Sequence, residues 1–568
     1  MLPASPYPLL CVILLCLLAI LPVFPSLSVA RKADRAVLRF ANRRALPIFL
    51  LFLGVILVRL ALIPTLPIPV PGIHDEFGYL LMADTFVHGR LANPTHPLWV
   101  SFETFHVNFV PTYSSSYPPA QGVFLAMGQL FGHPWIGVLL SNGAMCASIV
   151  WMLQAWIPRR WAFLGGVIAA VQFSVTTYWM NSYWGGAVAA TGGALALGAM
   201  PRIVRNGKTR DALLLSLGVV ILANSRPWEG FLFCSPLALY FLWWITGKTR
   251  TKIPLRIRVR QVLLPIVGSL LLAASFMAYY NYRLTGNPLL LPHSLNINTY
   301  ITGPIFLWQH AKPPLHYRNA TFETYYNGWV RNDYRTNLKD AFAMTKQKIE
   351  RSGPFFFWGA EWPLLLMVPF LFRDRKMRPL LAILIVSVVG IFVMVWGWPH
   401  YAAPVLCIVV VLLVQAMRHL STVTLKGRPV GSMLVRVVVA LLLFEAGLNA
   451  AEHKCDKTDW MCGELDQRAV VSDQLNALPG KHLVIVRYYA DHQVRNEWVY
   501  NGAEIDSAKI AWAREMDAEQ NQKLLSYFRD RHVWLVRPDE YFPAERLPKP
   551  YPFPCNLSGH EEHTARVR

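Results

Sequence analysis

The chain has 568 residues, of which 54% are hydrophobic and only 15% charged, where soluble domains carry about 25% charged residues. Together with a mean hydropathy of +0.33, this excludes an ordinary soluble protein. A formal charge of +21 would indicate a nucleic-acid partner in a soluble chain, but its distribution along this one excludes that reading.

The first apolar stretch, Leu9 to Val29, precedes the basic cluster Arg31, Lys32, Arg35, Arg39, Arg43 and Arg44. A signal peptide carries its charge on the other side, so residues 1–45 are expected to form an extra helix and a basic linker. Six short stretches (31–44, 157–161, 201–210, 247–260, 373–379 and 418–436) hold 26 of the 54 Lys and Arg residues, with only two acids, Asp34 and Asp374. Basic excess in short loops marks the cytoplasmic side of a membrane protein. That assignment places spans at 46–63, 135–156, 162–180, 184–200, 211–224, 228–246, 262–282, 354–372, 379–396, 400–417 and 433–449. Several are shorter than the roughly 20 residues a bilayer core asks for. Eleven spans, or twelve with the first helix, put the loops 64–134 and 283–353 and the tail 450–568 on the outer face. The short basic loops fit a bacterial cytoplasmic membrane.

The loop 64–134 is the most informative. It reads Ile73-His74-Asp75-Glu76-Phe77-Gly78-Tyr79, runs on to Gly89-Arg90-Leu91, and later gives Ser116-Tyr117-Pro118-Pro119. Phe77, Leu80, Leu81, Ala83, Phe86 and Val87 predict a short interfacial helix. Adjacent helical residues point about 100° apart, so one acid of the Asp75–Glu76 pair can face a cavity while the other caps the helix N-terminus, where negative charge is favoured. His74, His88, His96, Glu103 and His106 lie in the same loop, interleaved with Tyr79, Phe86, Trp99, Phe102, Phe105 and Tyr113. Rings beside carboxylates are a common way to hold a sugar; interfacial rings also simply anchor membrane proteins.

A first span leading to an Asp-Glu pair at the head of an interfacial helix, a later Tyr-Pro-Pro, and many spans followed by a polar tail together resemble the GT-C class of polytopic glycosyltransferases, which includes protein O-mannosyltransferases and the lipid A aminoarabinose transferase. The resemblance covers the topology of residues 46–449 and is sharp between 73 and 122. It implies a GT-C-like membrane domain at 46–449 that transfers a hexosyl or pentosyl group from a polyprenyl-phosphate-linked donor to an outer-face acceptor, whether glycan, lipid or protein. It also implies Asp75 as the first candidate for the catalytic acid and Glu76 as the second. Tyr79, Glu103, His106 and Tyr117 are then the loop's candidates for substrate binding. In the aminoarabinose transferase type a Lys precedes the Pro-Pro pair, whereas serines occupy 114–116 here. The cation for a lipid phosphate must therefore come from elsewhere, and Arg59, Arg226, Arg283 and His400 are placed at outer ends of spans. Arg226 and His400 are the preferred candidates, with a structural Arg226–Glu229 ion pair as the competing role. No cofactor is expected; some members of the class use a divalent ion, and Asp75, Glu76, His74 and His106 would be the residues to hold one, although no spacing resembles a dedicated metal motif.

The loop 283–353 carries basic and aromatic residues, His293 and Tyr300 among them, but nothing in it singles out one residue, and the Asn319-Ala320-Thr321 sequon is a weak match. Residues 187–198 are small, as close helix packing requires. After residue 449 the chain turns polar, with strand-like runs at His482–Tyr489 and His532–Arg537 and helical spacing over Ala518–Arg531. A small α/β tail is expected, packed as a cap over the membrane domain, with Cys455 and Cys462 placed for a local disulfide. The alternative function is a transporter or flippase of a lipid-linked sugar. Such proteins place ionisable residues within spans and show internal repeats, and neither is evident here.

Overall fold

The computed structural model describes residues 39–247, 253–332, 338–452, 467–489, 492–494, 496–540 and 547–552. The stretch Leu9–Val29 and the Cys455–Cys462 pairing lie outside them.

The chain forms a multi-pass helical membrane domain joined to a small sheet domain. Among the described residues, six helices are long and apolar enough to cross a membrane: Pro134–Trp156, Ala187–Asn206, Pro227–Ile245, Leu255–Thr285, Pro399–Ser421 and Val430–Ala451. A seventh arises if Asp340–Phe356 and Gly359–Arg373, bent by 100°, count as one span. The count is below the eleven read from the sequence because the remaining apolar segments make shorter helices. Among these are α1 (Leu46–Ala61) and Arg378–Phe392, and Thr209–Ala223, whose 15 residues rise about 22 Å at 1.5 Å each. The segment 162–180 begins as a helix at Arg159–Ala170 and continues as a π-turn over Val171–Val175.

The small-residue helix Ala187–Asn206 sits at the centre of this domain. A Cβ on Gly193 would lie 2.2 Å from the Pro404 carbonyl oxygen, so its backbone packs directly against the 399–421 segment. The 100° bend has an identifiable construction. Glu361 accepts a hydrogen bond from Trp358 N at 2.9 Å, and Glu445 accepts one from Ala360 N at 3.2 Å. These bonds satisfy N–H groups that a helix start leaves without internal partners.

The first long loop folds into α2 (His74–Val87), a two-residue hairpin of β1 (Val107–Asn108) and β2 (Ser114–Ser115), and α3 (Pro119–Leu130). In the tail, β3 (His482–Val486) pairs in parallel with both β4 (Ile510–Arg514) and β5 (His532–Val536), and β6 (Lys549–Pro550) adds antiparallel to β5. All five residues of β3 are buried, as a central parallel strand covered on both faces requires. Leu483 and Ile485 face Leu524, Phe528 and the first long loop, while Val484 and Val486 face Val471, Leu475 and Trp498. The sequence pattern marks β3, β5 and the helix Ala518–Tyr527. It does not mark β4, whose IAWAR run carries two alanines, weak strand formers that suffice here because the strand is buried.

Candidate functional site

Helix α2 begins with two acids that serve different masters. Glu76 Oε2 accepts from Gly72 N at 2.8 Å and Ile73 N at 3.2 Å, and its Oε1 accepts from Tyr183 N at 2.8 Å. It caps its own helix and ties it to the 178–184 turn. Burial raises this carboxyl to about 7 against the pull of those three N–H donors. Asp75 turns the other way and keeps 21% of its side chain exposed. The Tyr117 hydroxyl donates to its Oδ1, and His74 Nδ1 lies 3.1 Å from its Oδ2. Burial alone would lift the Asp75 carboxyl, but His106, His74 and Tyr117 outweigh it and hold the group below the usual carboxylate range.

The hairpin explains how Tyr117 arrives there. Ser116 N donates to the His106 carbonyl at 3.0 Å, and His106 itself has φ +58°, a left-handed conformation uncommon outside glycine and held here by its surroundings. Tyr117 then lies flat on α2, stacked on Tyr79 at 4.4 Å and 15°. Gly78 permits this, since a Cβ there would meet the Tyr117 ring at 3.0 Å. The His74 ring packs on His106 at 4.7 Å and on Phe105 at 5.2 Å. Burial pushes His106 down to about 3.

Three other segments close on this group. Ala120 N donates to the Asn224 carbonyl at 2.9 Å, which fixes the 224–226 turn beside α3 and holds Arg226 over the Tyr401 ring at 4.6 Å. Arg226 lies 3.9 Å from Glu229, a long ion pair in a buried setting. From the second long loop, His293 lies 6.3 Å from the Tyr117 ring and is pushed down to about 4 by burial and by the charge of Arg226. His400 accepts or donates at 2.9 Å with the Tyr178 hydroxyl and packs on Trp184 at 4.5 Å. Asp75, His74, His106, Tyr79, Tyr117, Arg226, His293 and His400 therefore form one cluster drawn from five segments.

Several residues singled out in the sequence fall elsewhere. Glu103 is buried at a loop junction, accepting from Tyr300 Oη at 2.9 Å and from Asn319 Nδ2 at 3.5 Å, with Arg318 at 3.6 Å. Its oxygens serve the joint between the two long loops. Asn319, the sequon residue, is likewise engaged, accepting from Phe322 N at 2.9 Å. Arg59 does not face the cluster: it donates to Asn181, Leu66 and Pro67 at 2.8–3.0 Å and closes the turn after α1. Arg283 donates to Tyr279 Oη at 3.0 Å. His293 comes from a loop whose basic and aromatic residues the sequence marks without singling one out, and Tyr178, Trp184 and Tyr401 are brought in by the fold.

His74, Asp75 and His106 could together hold a metal ion, since their ligand atoms lie within 4.8 Å of one another. Chemically the set suits a divalent cation, with two imidazoles and a carboxylate.

No protein-family model matches the sequence, and no curated protein matches it. Among solved structures, the chain is similar to ArnT from Cupriavidus metallidurans bound to undecaprenyl phosphate, at 13% identity and TM-score 0.49, covering 86% of this chain and 92% of that one. It is similar to the same protein in the apo state, at 13% identity and TM-score 0.48, covering 85% and 88%. It is also similar to the Archaeoglobus fulgidus oligosaccharyltransferase in the apo form, at 10% identity and TM-score 0.40, covering 80% of this chain and spanning 64% of that chain's length.

Proposed function

We propose that this chain is an integral-membrane glycosyltransferase that moves a sugar from a polyprenyl-phosphate-linked donor to a hydroxyl acceptor on the outer face, with Asp75 as general base. The supporting observation is the division of labour on α2: Glu76 is consumed by backbone N–H groups, while Asp75 is partly exposed, held ionised, and set among aromatic rings. In the reaction, the acceptor oxygen forms a bond to the anomeric carbon. The bond from that carbon to the phosphate oxygen breaks, its electron pair leaving with the lipid phosphate. The acceptor's proton passes to Asp75 Oδ. A carboxylate of low proton affinity is a weak base for a free alcohol, but the hydroxyl becomes strongly acidic as its oxygen bonds to carbon, so late transfer suits Asp75. Arg226 is the guanidinium of the cluster, half-buried beside the Tyr401 ring, and a departing phosphate needs such a charge. Tyr79, Tyr117 and the neutral His106 and His293 offer ring faces and hydrogen bonds to a sugar.

A second reading has its own observation, the His74–Asp75–His106 grouping. A divalent ion there would supply positive charge near the reacting oxygens. These residues would then bind the ion, and Asp75 would no longer be free as a base.

The test is lipid-phosphate release by purified protein in detergent, offered radiolabelled polyprenyl-phosphate sugars, with Asp75→Asn alongside. Turnover by the wild type and not by the variant, undiminished after chelation, supports the base. Loss on chelation supports the ion. Saturable donor binding without turnover overturns both in favour of a flippase.

A further inference from the structure

We propose that the tail is a clamp that positions Asp75, with Tyr500 and Arg468 as the positioning residues. This rests on Asp75 being the base. Residues Phe77, Leu81 and Asp84 stand four and three apart and share one face of α2, whereas Asp75, two residues before Phe77, points roughly 200° away from it. The first face meets the tail and the second meets the cluster. Phe77 stacks on Tyr500 at 4.1 Å and 8°. Leu81 packs into one core with Leu483, Ile485, Leu524 and Phe528 of the tail. Asp84 Oδ2 accepts from Ala503 N at 2.7 Å, while its Oδ1 accepts from Gln129 of α3 at 2.9 Å.

The tail's side of this contact is itself braced. The Arg468 guanidinium lies 5.0 Å from the Tyr500 ring, 4.5 Å from Trp512 and 5.7 Å from Phe77, and it donates to the Trp498 and Tyr500 carbonyls at 3.0 Å. Tyr113 Oη donates to the Asn501 carbonyl at 2.9 Å, tying the same strip to the hairpin that presents Tyr117. A Cβ on Gly502 would lie 2.7 Å from Asp84 Oδ2, so a side chain there would push the carboxylate off Ala503 N and Gln129. Helix α2 has only 14 residues, and such short helices depend on tertiary packing for their order. With Glu76 holding its start and the tail holding its back, α2 has one orientation about its own axis. In that orientation the Tyr117 hydroxyl reaches Asp75.

The experiment compares full-length Tyr500→Phe, Tyr500→Leu and Gly502→Ala with wild type, reading kcat, donor KM and hydrogen exchange of the α2 amides. Tyr500→Leu removes the stacked ring and should lower kcat about ten- to a hundredfold, the scale of a small misplacement of a reacting group. It should leave donor KM within about twofold and speed exchange in α2. Tyr500→Phe keeps the ring and should behave as wild type; Gly502→Ala should resemble Tyr500→Leu. An unchanged kcat and unchanged α2 exchange in both Tyr500→Leu and Gly502→Ala would overturn the clamp. The two readings fail separately: turnover retained by Asp75→Asn refutes the base, while faster α2 exchange on loss of the Tyr500 ring would still establish the contact that holds the helix.

Discussion

Two helix starts in this protein each gather a pair of carboxylates. Where the 359–373 segment begins, Glu361 accepts from Trp358 N and Glu445 accepts from Ala360 N. Where α2 begins, Glu76 alone takes the backbone donors, three of them, and Asp75 is left to side chains, Tyr117 and His74. The surroundings differ to match. Glu361 meets the Gln172 amide at 3.2 Å, and among the described residues no basic side chain forms a salt bridge with it or with Glu445. Asp75 has rings, imidazoles and Arg226 about it. An acid at a helix start is therefore read by which donors it takes: backbone N–H groups make it structural, and side-chain hydroxyl and imidazole leave it available to a substrate.

The largest effect that could break this comparison is on turnover. Asp75→Asn keeps the shape and removes the base, and release of lipid phosphate should fall by about 10²- to 10⁴-fold with unchanged thermal stability. An equal fall from Glu76→Gln, at full folding, would mean the two acids are not divided as described. Next in size is Arg226→Met, which should raise the donor KM by about ten- to a hundredfold, the worth of a charge-assisted hydrogen bond of roughly 1.5–3 kcal/mol. Saturation curves with donor and with an acceptor analogue separate the two substrates.

Tyr117→Phe sharpens the comparison at the atom level. It deletes the donor to Asp75 Oδ1, which helps to hold that carboxyl low. Its proton affinity should rise, so the acidic limb of kcat/KM should move to higher pH, with turnover at neutral pH down about tenfold. An unmoved limb would show that the limb does not report Asp75.

Glu76 gives a prediction in stability. Its carboxyl stands at about 7 in the fold against an ordinary 4.5, so the fold favours the protonated form. The resulting stabilisation is full below 4.5 and lost as pH rises through 7. Asp75, shifted downward, loses its own contribution only as pH falls below the ordinary carboxylate range, outside that window. Melting temperature in detergent should thus fall between pH 5 and pH 8 in the wild type, a slope that Glu76→Gln should remove.

How much of this the sequence discloses depends on how local the cause is. The membrane domain and the central strands of the tail follow from hydropathy and short-range pattern, as does α2 with its acid pair. Which acid caps is not local, because Tyr183 N, far along the chain, supplies one of the three donors to Glu76. Glu103 looked like Asp75 in the sequence, an acid among rings, and only the fold reveals Tyr300 and Asn319 on its oxygens. His293 is one of many rings in its loop and Tyr401 an ordinary ring, and neither stands out until the chain closes around Tyr117 and Arg226.

The smallest predicted effect is the sharpest control. Glu361 is as buried as Glu76, and Glu361→Gln keeps an oxygen to accept from Trp358 N while giving up charge. Loss of a charged cap costs about 1 kcal/mol, so the melting temperature should fall. If a carboxylate at a helix start mattered to the reaction merely by lying in this domain, turnover would fall with it. The bend that Glu361 caps lies next to Phe355, which packs on Tyr178 at 5.8 Å, and Tyr178 in turn hydrogen-bonds His400; among the described residues Glu361 itself has no hydrogen bond or ion pair to the cluster. Turnover per folded molecule should therefore stay within about twofold of wild type. A loss comparable to that of Asp75→Asn would mean that the bend, and not α2, sets the geometry of the reacting groups.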